Sequence, residues 1–93
     1  MALDSREMAE RIAMLASEWQ AERILFQPSV TKAWEFDKDG NIIKSDVSPL
    51  DVEWTGRRVV CVPTEPKGMN FWSCTLYDEE DNALRESNEQ FPY

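Results

Sequence analysis

The chain has 93 residues, a hydrophobic fraction of 42%, a charged fraction of 30% and a formal charge of −8. That size corresponds to one small domain with a single core and no room for a separate cofactor domain, and the composition excludes wholesale disorder. The acidic balance argues against nucleic acid and anionic membrane as partners, because both are bound by Lys and Arg displacing counterions.

The charge is also uneven: residues 78–93 hold six acidic groups and one basic group. An acidic end of this kind suits a basic protein partner, and it also serves solubility. The opening residues Met-Ala-Leu-Asp-Ser-Arg-Glu lack the basic segment and apolar run of a secretory signal. No stretch approaches the roughly 18 apolar residues of a membrane span. Two cysteines without a signal predict free thiols in a reducing, cytoplasmic setting.

Asp4 and Glu7 have the spacing of a capping box. Met8, Ile12, Leu15 and Trp19 then recur every three or four residues, which predicts an amphipathic helix ending between Trp19 and Arg23. Ile24-Leu25-Phe26 fits either the end of that helix or the start of a strand, and Pro28 stops both. From Ser29 the period becomes two, with Val30, Lys32, Trp34 and Phe36 on one face and Thr31, Ala33 and Glu35 on the other. Asp37-Lys38-Asp39-Gly40 then forms a hairpin turn with Gly40 at positive φ, and Ile42 to Val47 is the return strand.

After Ser48-Pro49, the alternation of Leu50, Val52 and Trp54 with Asp51 and Glu53 predicts a strand with one wet face. Val59-Val60-Cys61-Val62 is apolar throughout and reads as a strand covered on both faces. Along Met69–Tyr77, the residues Met69, Phe71 and Tyr77 alternate against Trp72, Cys74 and Leu76. A second corner, Asp78-Glu79-Glu80-Asp81-Asn82, repeats the first one 41 positions on, and a short strand from Ala83 to Glu86 closes the pattern. The expected fold is α+β, an N-terminal helix packed on a bent antiparallel meander of five to six strands, because each connection reads as too short for a parallel crossover. Residues 1–93 are read as a single small domain, with 87–93 a flexible acidic and aromatic tail.

The chemistry is sparse. Around Gly40 the sequence imitates the middle of a calcium loop, but the loop ends would be Glu35 and Asp46, Phe36 sits inside it and the flanks alternate like strands. The hairpin reading therefore replaces the metal reading. Cys61 and Cys74 are too far apart in sequence for a C-x-x-C pair or a zinc quartet, and a two-residue turn at Lys67-Gly68 would set them directly opposite one another as small core residues. There is no histidine, which removes the commonest general base and metal ligand. The three glycines form no phosphate-cradling pattern. No cofactor and no enzymatic activity are expected.

One helix cannot cover both faces of a six-stranded sheet, so aromatic residues are expected on the second face. The candidate partner-binding residues are Trp34, Phe36, Trp54, Phe71 and Trp72, with Arg57 and Arg58 at one end of the central strands to read an anionic group. Paired arginines beside a turn also deter strand-to-strand aggregation. The functional expectation is a non-enzymatic, acidic protein-binding module of the inhibitor, immunity or accessory kind, docking on a basic protein or on a second copy of itself. The alternatives are a small-ligand binder with an apolar cavity inside a half-barrel and, third, a small enzyme.

Overall fold

A computed structural model describes residues 6–52, 55–64 and 71–91. One helix, α1 (Arg6–Trp19), precedes six strands: β1 (Arg23–Phe26), β2 (Ala33–Asp37), β3 (Ile42–Val47), β4 (Arg58–Pro63), β5 (Phe71–Tyr77) and β6 (Ala83–Gln90). They form one open sheet in the order β3-β2-β1-β4-β5-β6. The α+β arrangement expected from the sequence is the observed one, with a mostly antiparallel sheet.

The helical stripe is buried as its period requires: Met8, Ile12, Leu15 and Trp19 lie in the core together with Ala16. The helix ends in a Schellman arrangement, with Ala21 N–H donating to the Ala16 carbonyl, Gln20 N–H to the Ser17 carbonyl, and Gln20 at φ +54°. Its expected capping box involves residue 4, outside the described residues. Ile24-Leu25-Phe26 belongs to a strand rather than to the helix end. Val30 is exposed and precedes β2, which begins at Ala33.

The sheet is not a pure meander. β1 pairs in parallel with β4, in the register Arg23↔Arg58, Ile24↔Val59, Leu25↔Val60 and Phe26↔Cys61. The pairs β1–β2, β2–β3, β4–β5 and β5–β6 run antiparallel, but β3 and β4 run in the same direction and are not neighbours. The chain between Val47 and Arg58 crosses the sheet to bring β4 beside β1. Ten residues suffice because an extended chain advances about 3.3 Å or more per residue, so no crossover helix is needed. The strand expected over 50–54 is corrected over its described part, Glu53 and Trp54 lying outside the described residues: Pro49–Asp51 is a turn of 3-10 helix, capped by the Ser48 hydroxyl accepting from Leu50 N–H. Pro49 cannot donate to a ladder, and this favours the turn. Of the expected alternation, Val52 is buried while Leu50 is 93% exposed.

The end of the chain differs as well. β6 continues to Gln90 instead of ending at Glu86, and Phe91 is buried. Residues 87–90 thus belong to a strand, and residues 92 and 93 of the expected tail lie outside the described residues. Alternation carries Ser87 and Glu89 toward the helix side, and Phe91 finds a site against the Phe26 ring at 4.9 Å.

Both corners are hairpin turns with the same wiring. In the first, the Asp37 carboxylate accepts from Asp39 N–H, Asn41 N–H and the Asn41 side-chain amide. In the second, Asp78 accepts from Glu80 N–H, Asn82 N–H and the Asn82 amide. They diverge at the fourth residue. Gly40 has φ +85°, and a Cβ there would collide with the Ala9 carbonyl of α1. Its counterpart Asp81 adopts φ +66° with a side chain, and its carboxylate pairs with Arg58.

Gly40→Ala should therefore cost about 2–4 kcal/mol, combining left-handed strain with displacement of the α1 backbone. Urea denaturation reads the loss, and an unchanged midpoint would mean that this corner does not pack on the helix.

Burial raises the Asp37 carboxyl, but the bonds donated by Asn41 and Asp39 outweigh it and leave the group below its ordinary value of 3.8. Bonds from the Asn82 backbone and side chain, with smaller help from Glu80 and the Arg58 charge, hold Asp78 low in the same way. Both folded-state values are depressed, so their stabilisation is complete above the ordinary carboxylate range and vanishes as pH falls through the lower folded values. Urea midpoints followed downward from about pH 4 should drop more steeply for the parent than for an Asp37→Asn/Asp78→Asn variant.

Candidate functional site: the outer face of the sheet

Alternation along the strands divides the sheet into two faces. The inner face, under α1, is built of ladder rows. One runs Phe36, Ile24, Val59, Leu76, Arg85, and the next passes through Phe26, Cys61, Cys74 and Ser87. Phe26 is its centre, touching Phe36 at 5.8 Å, Trp72 at 4.6 Å and Phe91 at 4.9 Å between ring centroids. At the margin, the Arg85 guanidinium lies 4.6 Å from the Trp19 ring centroid and pairs with Glu18.

The outer face has two halves. Over β1 and β2 it is covered. Leu25, Ala33 and Val52 form a second, smaller buried cluster, with Val47 and Val60 packed against it. Lys44 Nζ donates to the Asp51 carbonyl at 2.8 Å, tying the crossover to β3. Within this half lies Glu35, 1% exposed, whose Oε2 accepts from Arg23 at 2.9 Å and whose Oε1 accepts no hydrogen bond.

Over β4, β5 and β6 the outer face is the more exposed half among the described residues. In ladder order it presents Val62, Ser73 and Asn88, then Val60, Thr75 and Glu86, with Phe71 at one end and Tyr77 at the other. Phe71 is 41% exposed and Val62 38%, and the ladders set Phe71 opposite Gln90 and Val62 in a row with Ser73 and Asn88. The far end is rigid. Arg58 is 4% exposed, donates to the Gly56 and Asp78 carbonyls, pairs with Asp81 and sits 5.6 Å from the Tyr77 ring centroid.

The candidate residues are therefore distributed between the faces. Phe36 and Trp72 are core residues under the helix, and Trp34 packs against that core half-buried. Phe71 alone of the described candidate aromatics stands on the more exposed half of the outer face. Trp54 lies outside the described residues. Arg57 is half-buried and donates through Nε to the Trp19 carbonyl, and Arg58 is engaged within the fold. The alternation of Phe71 against Trp72 already implied that the two rings cannot share a face. Ser73 shares the face of Phe71 by alternation along β5, whereas Val62 comes beside them only through the β4–β5 register, which the sequence does not display. The Arg23–Glu35 pair was likewise invisible, since it depends on β1 lying beside β2.

Among the described residues no group of three or more His, Cys, Asp or Glu is arranged to hold a metal ion, and no described helix is long and apolar enough to cross a membrane, which does not bear on β-barrels. Comparison with family models, curated proteins and solved structures returned no match.

Removing Arg23 leaves a buried carboxylate without its cation, so Arg23→Ala should destabilise by about 3 kcal/mol, while Arg23→Met/Glu35→Leu should lie near the parent. Chemical denaturation of both variants checks this. Equal losses in the two would show that the pair itself contributes net stability.

Proposed function

We propose that this protein is a non-enzymatic docking module whose contact surface is the more exposed half of the outer face, over β4, β5 and β6, presented to a protein of basic character. The observation that carries this reading is the asymmetry of that face: the crossover covers the β1–β2 half, and the β4–β6 half keeps Phe71 and Val62 exposed. Aromatic side chains surrounded by polar groups are the usual anchors of protein interfaces. The surface is held in shape before binding, because Arg58 fixes the β5–β6 corner and Tyr77 rests against its guanidinium. A surface ordered in advance loses less entropy on association.

Charge supplies the partner's character. Glu86 lies on this face opposite Thr75, and Glu79, Glu80 and Asp81 follow from β5 at its end. At −8 the chain draws cationic proteins together faster than neutral ones and discourages pairing with a second copy. The ligand-binding alternative has less support, since the sheet is open and, among the described residues, a cleft of about 370 Å³ between α1 and the first corner is lined by Ser17, Gln20, Glu22, Lys38 and Asp39 beside two alanines.

Capture from the native cell with the parent, Phe71→Glu and the surface control Met14→Ala tests the proposal. The parent and the control should retain the same basic protein, Phe71→Glu should lose it at least tenfold, and added salt should weaken capture by slowing association. Undiminished capture by Phe71→Glu would contradict the assignment of this face, and a salt-insensitive or acidic partner would contradict the electrostatic part.

A further inference from the structure

The inner face of β4 and β5 holds Cys61 and Cys74 directly opposite each other. Gln27 N–H donates to the Cys61 carbonyl, so the main-chain groups of Cys61 point toward β1 rather than β5. Thr64 N–H donating to the Phe71 carbonyl fixes the same phase along the β4–β5 ladder. The two cysteines are therefore a non-hydrogen-bonded pair, the arrangement in which facing residues approach most closely, with Cα atoms about 4.5 Å apart. Disulfides accept Cα separations of about 4.4–6.8 Å. The two sulphurs are 2.9 Å apart, and both residues are 0% exposed.

We propose that Cys61 and Cys74 form a two-electron redox site that closes a disulfide between β4 and β5 within the folded sheet, with a small peroxide as oxidant. One thiolate attacks an oxygen of hydrogen peroxide. The O–O bond breaks, the departing hydroxide leaves as water, and the sulphur becomes a sulfenic acid. The facing sulphur then attacks it, the S–O bond breaks, and a second water departs with the remaining thiol proton. Two thiols and one peroxide yield one disulfide and two waters, and once unfolding exposes the bond an external dithiol reverses the product by exchange.

Burial decides which oxidants act. A glutathione disulfide cannot approach sulphurs with no exposed surface, whereas a peroxide is little larger than water. Burial, reinforced by the neighbouring sulphur, also pushes the Cys61 thiol well above its ordinary value. The thiolate is scarce and the reaction slow, so the site records sustained rather than momentary oxidation. The crosslink joins the two strands that carry Val62 and Phe71, although its chemistry is independent of whether their outer face binds a partner.

The test treats the native protein with hydrogen peroxide, removes the oxidant, alkylates one portion with iodoacetamide in denaturant, and measures intact mass, linked peptides and the melting temperature of the unalkylated remainder. The expected product has lost two hydrogens, takes up no alkyl group, yields one peptide pair joining Cys61 to Cys74, and reverts with dithiothreitol in denaturant. Its melting temperature should rise by about 10 °C, since the link closes a short loop without straining the sheet. Cys61→Ser and Cys74→Ser should each abolish the linked peptide. Two alkylatable thiols after treatment, oxidation to separate sulfinic acids, or a disulfide that lowers the melting temperature would each overturn the proposal.

Discussion

The structure depends on the parallel pairing of β1 with β4. Without it the chain would be two antiparallel three-stranded units, β1-β2-β3 and β4-β5-β6, neither with enough inner face to bury the stripe of α1. With it, Ile24, Phe26, Val59 and Cys61 meet in the middle of one sheet, and the helix packs on residues from both units. The pairing requires the chain to travel from the β3 edge back to the centre. That path runs across the outer face and deposits Val52 against Leu25 and Ala33. One topological demand thus sets both the completeness of the inner core and the partial covering of the outer face.

The remaining features fall into place around this asymmetry. The inner face is closed by aromatic packing around Phe26 and held at its ends by the two Asp-Asn corners. These share a hydrogen-bond pattern and differ at the one residue where their surroundings differ. Gly40 makes room for the helix backbone, and Asp81 accepts the strain of a left-handed conformation in exchange for a bond to a buried guanidinium. Arg23 and Arg58 are neighbours across the parallel pair, and each is matched to a different carboxylate, Glu35 and Asp81. Their like charges therefore sit side by side at little cost. Among the described residues the outer half over β4–β6 receives no such closure, and the proposed docking surface is what they leave more exposed.

How much of this was legible in the sequence follows from which forces are local. The α1 stripe, the two corners, the positive φ of Gly40 and the facing of Cys61 and Cys74 all rest on periodicity or turn chemistry within about a dozen residues, and each was readable. The β1–β4 pairing was not, because it joins residues more than thirty positions apart and leaves no mark on the pattern of either strand. The crossover that this pairing requires was hidden with it. The alternation that begins at Leu50 and Val52 imitates a strand, and nothing local reveals that Pro49–Asp51 is a turn of 3-10 helix. Ser87 to Gln90 is polar enough to imitate a tail, although its main chain completes the β5 ladder. The candidate aromatics were grouped by type rather than by face, so Phe36 and Trp72 were placed with Phe71 although two are core residues and one is exposed.

The measurement that tests this account most directly is native-state amide exchange combined with interstrand proton contacts in solution. The Gln27 amide, bonded to the Cys61 carbonyl at 2.9 Å, should exchange only through global unfolding, at the same free energy as the central amides of β5, and β1 and β4 should show the contacts of a parallel pair. A Gln27 amide that exchanges freely, with β4 instead in contact with β3, would return the fold to a simple meander. The partial covering of the outer face, and the surface proposed on it, would fall with that result.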